Sequence, residues 1–307
     1  MILEPWDWRY KIQSDRKLSE QIFKQISEIN DKKIRQLYLK LHDFFSNSSR
    51  NDNEFQNLNN YLEIILSRKQ INYILNYEVS PITSNPPSCY LKNEDFYKFV
   101  EDKIKKFRDK LNFDFIFTVT ENEEGFGEYW PTLLTQKDKN ELIVHKNRNS
   151  LEMYNLELTI IHELLGHGIF YDFILKNNLS FVDHGSVLIE GWPTYIEWNY
   201  QNNPRSQFNK SFSISVLKAK ILGNEDEVKD LYKIAGYDEK TYESNSISYK
   251  SYPGFIESYC IGAMFLELQY KDLPLNKSLA NVLKNGCGDF FLWDTMECGR
   301  FLGSRKA

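Results

Sequence analysis

Two histidines lie within an apolar segment that reads TIIHELLGHGIF at residues 159–170, and Glu163 directly follows the first of them, His162. The second is His167. Neutral imidazole is the commonest protein ligand for zinc, and a glutamate beside the metal can accept a proton from water. His162, Glu163 and His167 therefore predict the metal centre of a hydrolase.

The spacing of the two histidines is five residues, one more than in the usual HExxH motif. In an undistorted α-helix, five residues leave two side chains about 140° apart around the axis, too far to bind one ion. A single i→i+5 turn absorbs the extra residue. We therefore predict a π-turn between His162 and His167, eased by Gly166. The alternative is that the two histidines are unrelated residues on different faces of the helix. It is disfavoured because the chain has only 5 histidines in 307 residues, so such a pattern rarely arises by chance.

Candidates for a third ligand follow this helix. Glu190 begins the segment EGWPTYIEW, far enough along the chain for a second helix to cross the first. His184 is the alternative, because imidazole is equally good ligand chemistry. Pro193 cannot lie deep inside a helix, so we expect Glu190 in or just before the first turn. Glu197 shares the helix face of Glu190 and would orient a ligand imidazole.

Composition restricts the class of protein. The chain is 41% hydrophobic and 15% aromatic, sufficient for a substantial core. Its net charge of −5 and pI of about 5.7 argue against nucleic acid or an anionic membrane as partner. The amino terminus lacks a signal-peptide pattern, no window approaches eighteen apolar residues, and the 4 cysteines lack C-x-x-C spacing. We expect a soluble cytoplasmic protein.

The amino-terminal part is predicted to be helical. Residues 14–77 carry Leu, Ile and Phe at three- and four-residue intervals, which indicates two or three amphipathic helices divided by a polar loop at 47–53. Three prolines within 80–88 predict a junction. We therefore expect a helical region at 1–88 and a metallohydrolase catalytic region at 89–307, with one continuous domain as the alternative.

The catalytic part is predicted to contain a small sheet. Alternating β-branched and aromatic residues indicate strands at 113–120 and 141–145. The metal-binding helix follows, capped by Asn149 or Ser150, and the last third of the chain is helical again. The sequence thus predicts a mainly α fold with a small sheet beside the metal-binding helix.

Residues between and on these strands are candidates for the substrate side. The strand directly before the metal-binding helix would hydrogen-bond a peptide through its backbone. The turn-rich segment GFGEYWP at 125–131 would form a cleft wall through Tyr129 and Trp130, unless these rings only cover the sheet. His145 is a substrate-side candidate.

Three ordered segments resemble one family. They are HELLGH at 162–167, EGWPTY at 190–195 and PGFIESYCIG at 253–262. They resemble the bacterial metallopeptidase-like family known as domain of unknown function 885, which carries HExxPGH, EGWAxY and PGQAxxYxxG in this order. The first segment here is one residue shorter and lacks the proline, and Phe255 replaces the family's glutamine. The HELLGH string itself is similar to that of dipeptidyl peptidase III, whose second motif differs.

The resemblance implies a helical zinc-peptidase-like (gluzincin-type) fold that binds one Zn²⁺ ion. His162, His167 and Glu190 would be the ligands and Glu163 the general base. Tyr259, in the third segment, would face the cleft.

The phenol of Tyr259 can donate a hydrogen bond to the oxyanion without first becoming charged. The alternative is a buried tyrosine with a structural hydrogen bond. Tyr195 and Tyr129 are the next candidates for the donor.

We therefore predict a zinc-dependent hydrolase of peptide or amide bonds. Its partner would be a peptide or small amide substrate, with no nucleic acid and no membrane. One alternative is a dedicated small-molecule amide hydrolase. Another is a catalytically inactive binding protein on a peptidase scaffold, against which the intact Glu163 argues, because a binder needs no base beside its first ligand.

Overall fold

A computed structural model describes residues 16–28, 32–47, 53–122, 125–132, 137–148, 150–177, 186–251 and 254–270. This part of the chain is mainly helical with one small sheet, as predicted. His184, the alternative third ligand, lies outside the described residues, as does the chain beyond residue 270.

The amino-terminal region forms more helices than predicted. These are α1 (Arg16–Ser27), α2 (Lys32–Asn47), α3 (Glu54–Ile65) and α4 (Arg68–Asn76). Ser67 starts α4 with a capping box, in which the Ser67 side chain accepts from the Gln70 backbone and the Gln70 side chain accepts from Ser67. This cap separates α3 from α4, which hydrophobic periodicity alone does not distinguish.

A short 3₁₀ turn and helix α5 (Phe96–Arg108) lead to the sheet, whose strands are β1 (Phe115–Glu121), β2 (Gly127–Trp130) and β3 (Asn140–Lys146). The order is β1-β3-β2, with β1 parallel and β2 antiparallel to β3. Two strands were predicted, and β2 was expected as a turn-rich segment. The strand before the metal-binding helix, β3, is central. Its backbone is therefore already paired on both sides, and it cannot accept a peptide.

The central helix consists of α6 (Met153–Ile160), a π-helix (Ile161–Gly168) and α7 (Ile169–Lys176). Its cap is Glu152, whose side chain accepts from the Asn155 N–H at 2.8 Å. The predicted Ser150 cap is wrong, because the Ser150 hydroxyl is bonded within a turn to Asn147. Asn149 lies outside the described residues.

The central helix is more apolar than expected from the sequence. Its 24 residues, with a mean hydropathy of 1.3 in the best window, would suffice to cross a membrane. However, 61% of that window is buried inside the fold, as expected for the core helix of a globular protein.

The remaining helices are α8 (Ser186–Trp198), α9 (Arg205–Ile221), α10 (Glu225–Ile234), α11 (Glu239–Ser251) and α12 (Phe255–Tyr270). Helices α8 and α12 touch backbone to backbone. A Cβ on Gly262 would lie 1.9 Å from the Val187 carbonyl, and one on Gly191 would lie 2.5 Å from the Gly262 Cα. Glycine at both positions therefore lets the second and third family-like segments meet.

One large hydrophobic core joins most of these elements, and a second, smaller cluster packs α10 against α3 and α9 through Phe55, Val216, Ala219, Val228 and Tyr232. The large core contains side chains of the amino-terminal helices, such as Leu41 and Tyr61, together with Ile161 of the central helix, Trp192 of α8 and Phe265 of α12. The predicted junction at 80–88 contains no helix or strand, but the core continues across it. The division into two regions stays a prediction.

Candidate metal centre

The predicted wide turn between the two histidines is confirmed. Residues Ile161–Gly168 form a π-helix, which adds one residue to a turn of the central helix. The His162 and His167 rings are consequently neighbours, with centroids 4.9 Å apart. The five-residue spacing therefore does not separate the two imidazoles.

Glu190 approaches these rings from α8, but not from its first turn. Pro193 lies inside this helix, so the expected position of Glu190 at the helix start was wrong. The proline lacks the N–H that would donate to the Ile189 carbonyl. Its ring instead packs against Gly166 of the π-helix, where a Cβ would lie only 2.4 Å from the Pro193 Cβ. Glycine at position 166 therefore lets α8, which carries Glu190, approach the central helix closely at this point.

The three side chains form a set that fits a zinc ion. Glu190 Oε2 lies 3.5 Å from His162 Nε2 and 3.3 Å from His167 Nε2. One ligand atom from each residue lies within 4.8 Å of the others. A tetrahedral zinc site with bonds of about 2.0–2.1 Å has its ligand atoms about 3.3 Å apart. The two carboxylate–imidazole distances therefore match such a site, and two imidazoles with one carboxylate are ligands that zinc takes.

The charges around this cluster also favour a cation. Burial would lower the pKa of His162, but the Glu197 carboxylate and hydrogen bonds to Glu190 and Glu197 hold that pKa well above the ordinary value. Burial would raise the pKa of Glu190, but His167 and His162 lower it. Burial raises the pKa of Glu163 against the lowering effect of both imidazoles. Three carboxylates thus meet two imidazoles, an excess of negative charge that a divalent cation would neutralise.

Each imidazole is held by a neighbour. The Glu197 carboxylate contacts His162 Nδ1, which leaves Nε2 on the side of Glu190. The sequence predicted this contact for Glu197. His167 stacks on Tyr171, with centroids 5.9 Å apart and planes 19° apart. Among the described residues His167 Nδ1 is buried without a hydrogen-bond partner. Tyr171 was not predicted from the sequence, although its i+4 spacing from His167 was a usable signal.

Glu163 lies between the central helix and the sheet. It is 8% exposed, and a Cβ on Gly127 of β2 would lie 3.3 Å from the Glu163 Cγ and 2.8 Å from the Thr159 Cγ2. Glycine therefore lets β2 run close beside the candidate base. Within the described residues β2 pairs on one side only, with β3, so β2 is the edge strand at the site.

Tyr259 is the tyrosine candidate that contacts a histidine of the cluster. Its ring stacks on His162, with centroids 6.0 Å apart and planes 17° apart. Tyr195 is 2% exposed, and its hydroxyl lies 3.5 Å from the Tyr270 carbonyl, within the core. Tyr129 is 7% exposed and stacks on Tyr171. Both side chains are therefore buried, Tyr195 beside the Tyr270 carbonyl and Tyr129 against Tyr171.

The His145 ring of β3 makes hydrogen bonds within the sheet. His145 Nε2 donates to Glu128 at 3.0 Å, and Nδ1 pairs with the Thr120 hydroxyl at 2.8 Å. Both ring nitrogens of His145 are thus used between strands, which does not favour the substrate-side role. Trp130, by contrast, is 41% exposed on the edge strand.

Comparisons with known proteins show the fold but no family. No protein-family model matches the chain. The CRISPR-associated endoribonuclease Cas13a of Leptotrichia wadei (strain F0279) is 20% identical over 337 aligned positions, which cover 96% of this chain and 27% of that protein. The chain thus spans about a quarter of the curated relative it matches, at an identity too low to show a shared family.

Among solved structures, a protein of Colwellia psychrerythraea described as a lipoprotein aligns with a TM-score of 0.50 and 14% identity, over 96% of this chain and 57% of that one. A carboxypeptidase of Pyrococcus furiosus aligns with a TM-score of 0.33 and 10% identity, over 92% of this chain and 64% of that one. The second value is too low to carry an argument. The first supports a mainly helical fold with a small sheet and nothing finer.

Proposed function

We propose that this protein is a zinc-dependent hydrolase of peptide or amide bonds, with a gluzincin-type site on a mainly helical scaffold. The observation that carries the proposal is the convergence of His162, His167 and Glu190, with 3.3 and 3.5 Å between the glutamate oxygen and the two imidazole nitrogens. Glu163, next in sequence to the first ligand, adds a base that a purely structural metal site does not need.

The ion would be held by His162, His167 and Glu190. When bound, zinc supplies a Lewis acid and brings the pKa of water towards about 7. The Glu197 carboxylate keeps the His162 proton on Nδ1, so that Nε2 presents its lone pair. Glu197 is thus a positioning residue.

Glu163 would manage the protons of the reaction. Its carboxylate oxygen accepts a proton from the attacking water and passes it to the nitrogen of the leaving amine. Its burial between the central helix and β2 keeps bulk water from competing for that proton. Glutamine at this position would keep the shape and lose the acceptor oxygen's basicity.

Two further elements would hold the substrate. The edge of β2 that is unpaired in the described part of the chain can pair with an extended peptide backbone, in place of the central strand β3 that was expected from the sequence. The hydroxyl of Tyr259, whose ring lies against His162, would donate to the oxygen that becomes negative during attack. Tyr259 is then the catalytic donor.

Metal analysis of the purified protein, followed by digestion of a peptide library, tests this proposal. We expect one zinc ion per chain and cleavage that Glu163→Gln abolishes while the zinc remains. Alanine at His162, His167 or Glu190 should lose the ion. Zinc retained without any cleavage of peptides or small amides would favour the binding-protein alternative, and full zinc in Glu190→Ala with none in His184→Ala would transfer the third-ligand role to His184.

A further inference from the structure

A cavity of about 330 Å³ begins at the candidate centre and extends away from it between α8, α9 and α12. Its inner end is formed by His162, Glu197 and Tyr259. Tyr237, which is 43% exposed, lines it as well, so the cavity also reaches the protein surface. This volume is at the lower end of ligand pockets, which span about 300–1,000 Å³, and suits one or two residues of a substrate.

The wall of this cavity contains a buried ion pair. Lys220 of α9 is 1% exposed and donates to Glu257 Oε1 at 3.0 Å. Glu257 of α12 is 6% exposed, and its second oxygen, Oε2, has no hydrogen-bond partner among the described residues. A buried carboxylate oxygen without a donor is costly, and a buried ion pair contributes little net stability. These charges therefore point to a ligand that brings a donor.

Aromatic rings form another part of the same wall. Phe212, Tyr232 and Tyr237 contact one another, with ring centroids 5.3 to 5.6 Å apart, and all three line the cavity. The Tyr232 oxygen accepts from Asn245 Nδ2 at 3.1 Å. Aromatic faces attract organic cations, and their carbon surface covers an aliphatic chain. A carboxylate on one side and aromatic rings on another are the chemistry that recognises an alkyl ammonium group.

From these observations we infer that the cavity is the specificity pocket of the enzyme and binds the substrate residue that carries a primary ammonium group. The ammonium donates to the Glu257 carboxylate once a rotation of that side chain brings its unpartnered oxygen, Oε2, to the cavity, and the aliphatic part of the ligand lies against the aromatic wall. The group comes either from a free amino terminus or from a lysine side chain. The substrate class is therefore short peptides or amides with a primary ammonium near the scissile bond. That the bound compound is a substrate rests on the proposed function. That the cavity binds a primary ammonium group does not.

Four small amides separate the two sources of the ammonium. L-lysinamide carries both groups, Nα-acetyl-L-lysinamide the side-chain ammonium, L-norleucinamide the α-ammonium, and Nα-acetyl-L-norleucinamide neither. Calorimetric titration into the Glu163→Gln protein measures binding without turnover. We expect the neutral compound to bind at least about 10-fold more weakly than the better of the two singly charged ones, which identifies the source. Equal binding of all four, or no binding of any, would overturn the inference.

Variants test the location. Glu257→Gln should weaken the binding of the preferred ammonium compound by at least about 10-fold. The affinity for the neutral compound should stay unchanged. Because this change leaves the Lys220 charge buried without its partner, the double variant Lys220→Met/Glu257→Leu provides a second form without either charge and with the same expected loss. An unchanged preference in a folded form of either variant would refute the role of Glu257.

A matched pair on α9 tests the cavity itself. Ser213 lines the cavity, whereas Ser215, on the same helix, is not one of its lining residues. Ser213→Leu fills the space and keeps the Lys220–Glu257 pair, so it should weaken all four compounds, while Ser215→Leu should not. Equal effects of the two changes would exclude the cavity as the binding place. Zinc content and peptide cleavage are measured separately, so a failure of the proposed function leaves these binding results interpretable.

Discussion

The contact between Gly166 and Pro193 predicts that a single added methyl group will disable the metal centre without removing a ligand. In Gly166→Ala the new Cβ would lie 2.4 Å from the Pro193 Cβ, 2.7 Å from its Cα and 2.8 Å from its Cγ. Carbon atoms in contact normally lie about 3.5–4.0 Å apart. The proline ring cannot rotate away, and one of the atoms is backbone, so α8 as a whole must move by about 1 Å.

Glu190 lies one turn before Pro193 and moves with α8. Ligand distances in a metal site are defined to about 0.2 Å, so a shift of about 1 Å removes the carboxylate from its place. We expect zinc affinity to fall by about 10²-fold, together with an overpacking cost of about 1–3 kcal/mol in the free energy of unfolding. Competition with a chromophoric chelator measures the first quantity and thermal unfolding the second.

Gly168→Ala is the matched control. It adds the same methyl group to the same π-helix, but the new Cβ would meet the end of the Phe113 side chain at 2.7 Å, which can turn aside. Zinc affinity should therefore stay within a few-fold of the original. Replacing Pro193 by glycine in the Gly166→Ala protein should restore part of the lost affinity. Undiminished zinc binding in Gly166→Ala would show that this contact does not position Glu190.

The remaining predictions concern neighbours of the ligands. Glu197→Gln should keep one zinc ion but bind it about 10- to 100-fold more weakly, because an amide orients His162 less firmly; unchanged affinity in chelator competition would exclude that role. Tyr259→Phe should lower kcat and kcat/KM together by about 10²-fold with KM little changed. If the Tyr259 hydroxyl makes only a structural hydrogen bond, the variant should instead lose about 1–3 kcal/mol of stability and keep its turnover. Deletion of Leu165 creates an HExxH motif but rotates the downstream apolar face, including Phe170, by about 100°. We therefore expect a marked fall in the melting temperature. An unchanged melting temperature would show that the π-turn is dispensable.

The local geometry of the site could be predicted from sequence where one helix determines it. The five-residue spacing of His162 and His167 requires a π-turn if both bind one ion, and the turn is present. Glu197 follows from the seven-residue repeat of a helix face, and its carboxylate contacts His162. In both cases the inference relates residues of a single helix through a fixed number of residues along the chain.

Contacts between distant elements could not be predicted in this way. Pro193 was expected near a helix start because a proline deeper in a helix costs a hydrogen bond, yet it lies inside α8 with its ring packed on Gly166. The glycines and the proline of segment 125–131 indicate turns, yet Gly127 is the residue that lets a strand run beside Glu163. The Lys220–Glu257 pair joins α9 to α12, and no spacing in the sequence relates these two residues.

The central claim is that one zinc ion is held by His162, His167 and Glu190. Anomalous diffraction from crystals of the purified protein, recorded on both sides of the zinc absorption edge, tests it most directly. We expect a single peak about 2.0–2.2 Å from His162 Nε2, His167 Nε2 and a Glu190 oxygen. The absence of a zinc peak there, or a peak bound by a different set of residues, would contradict it.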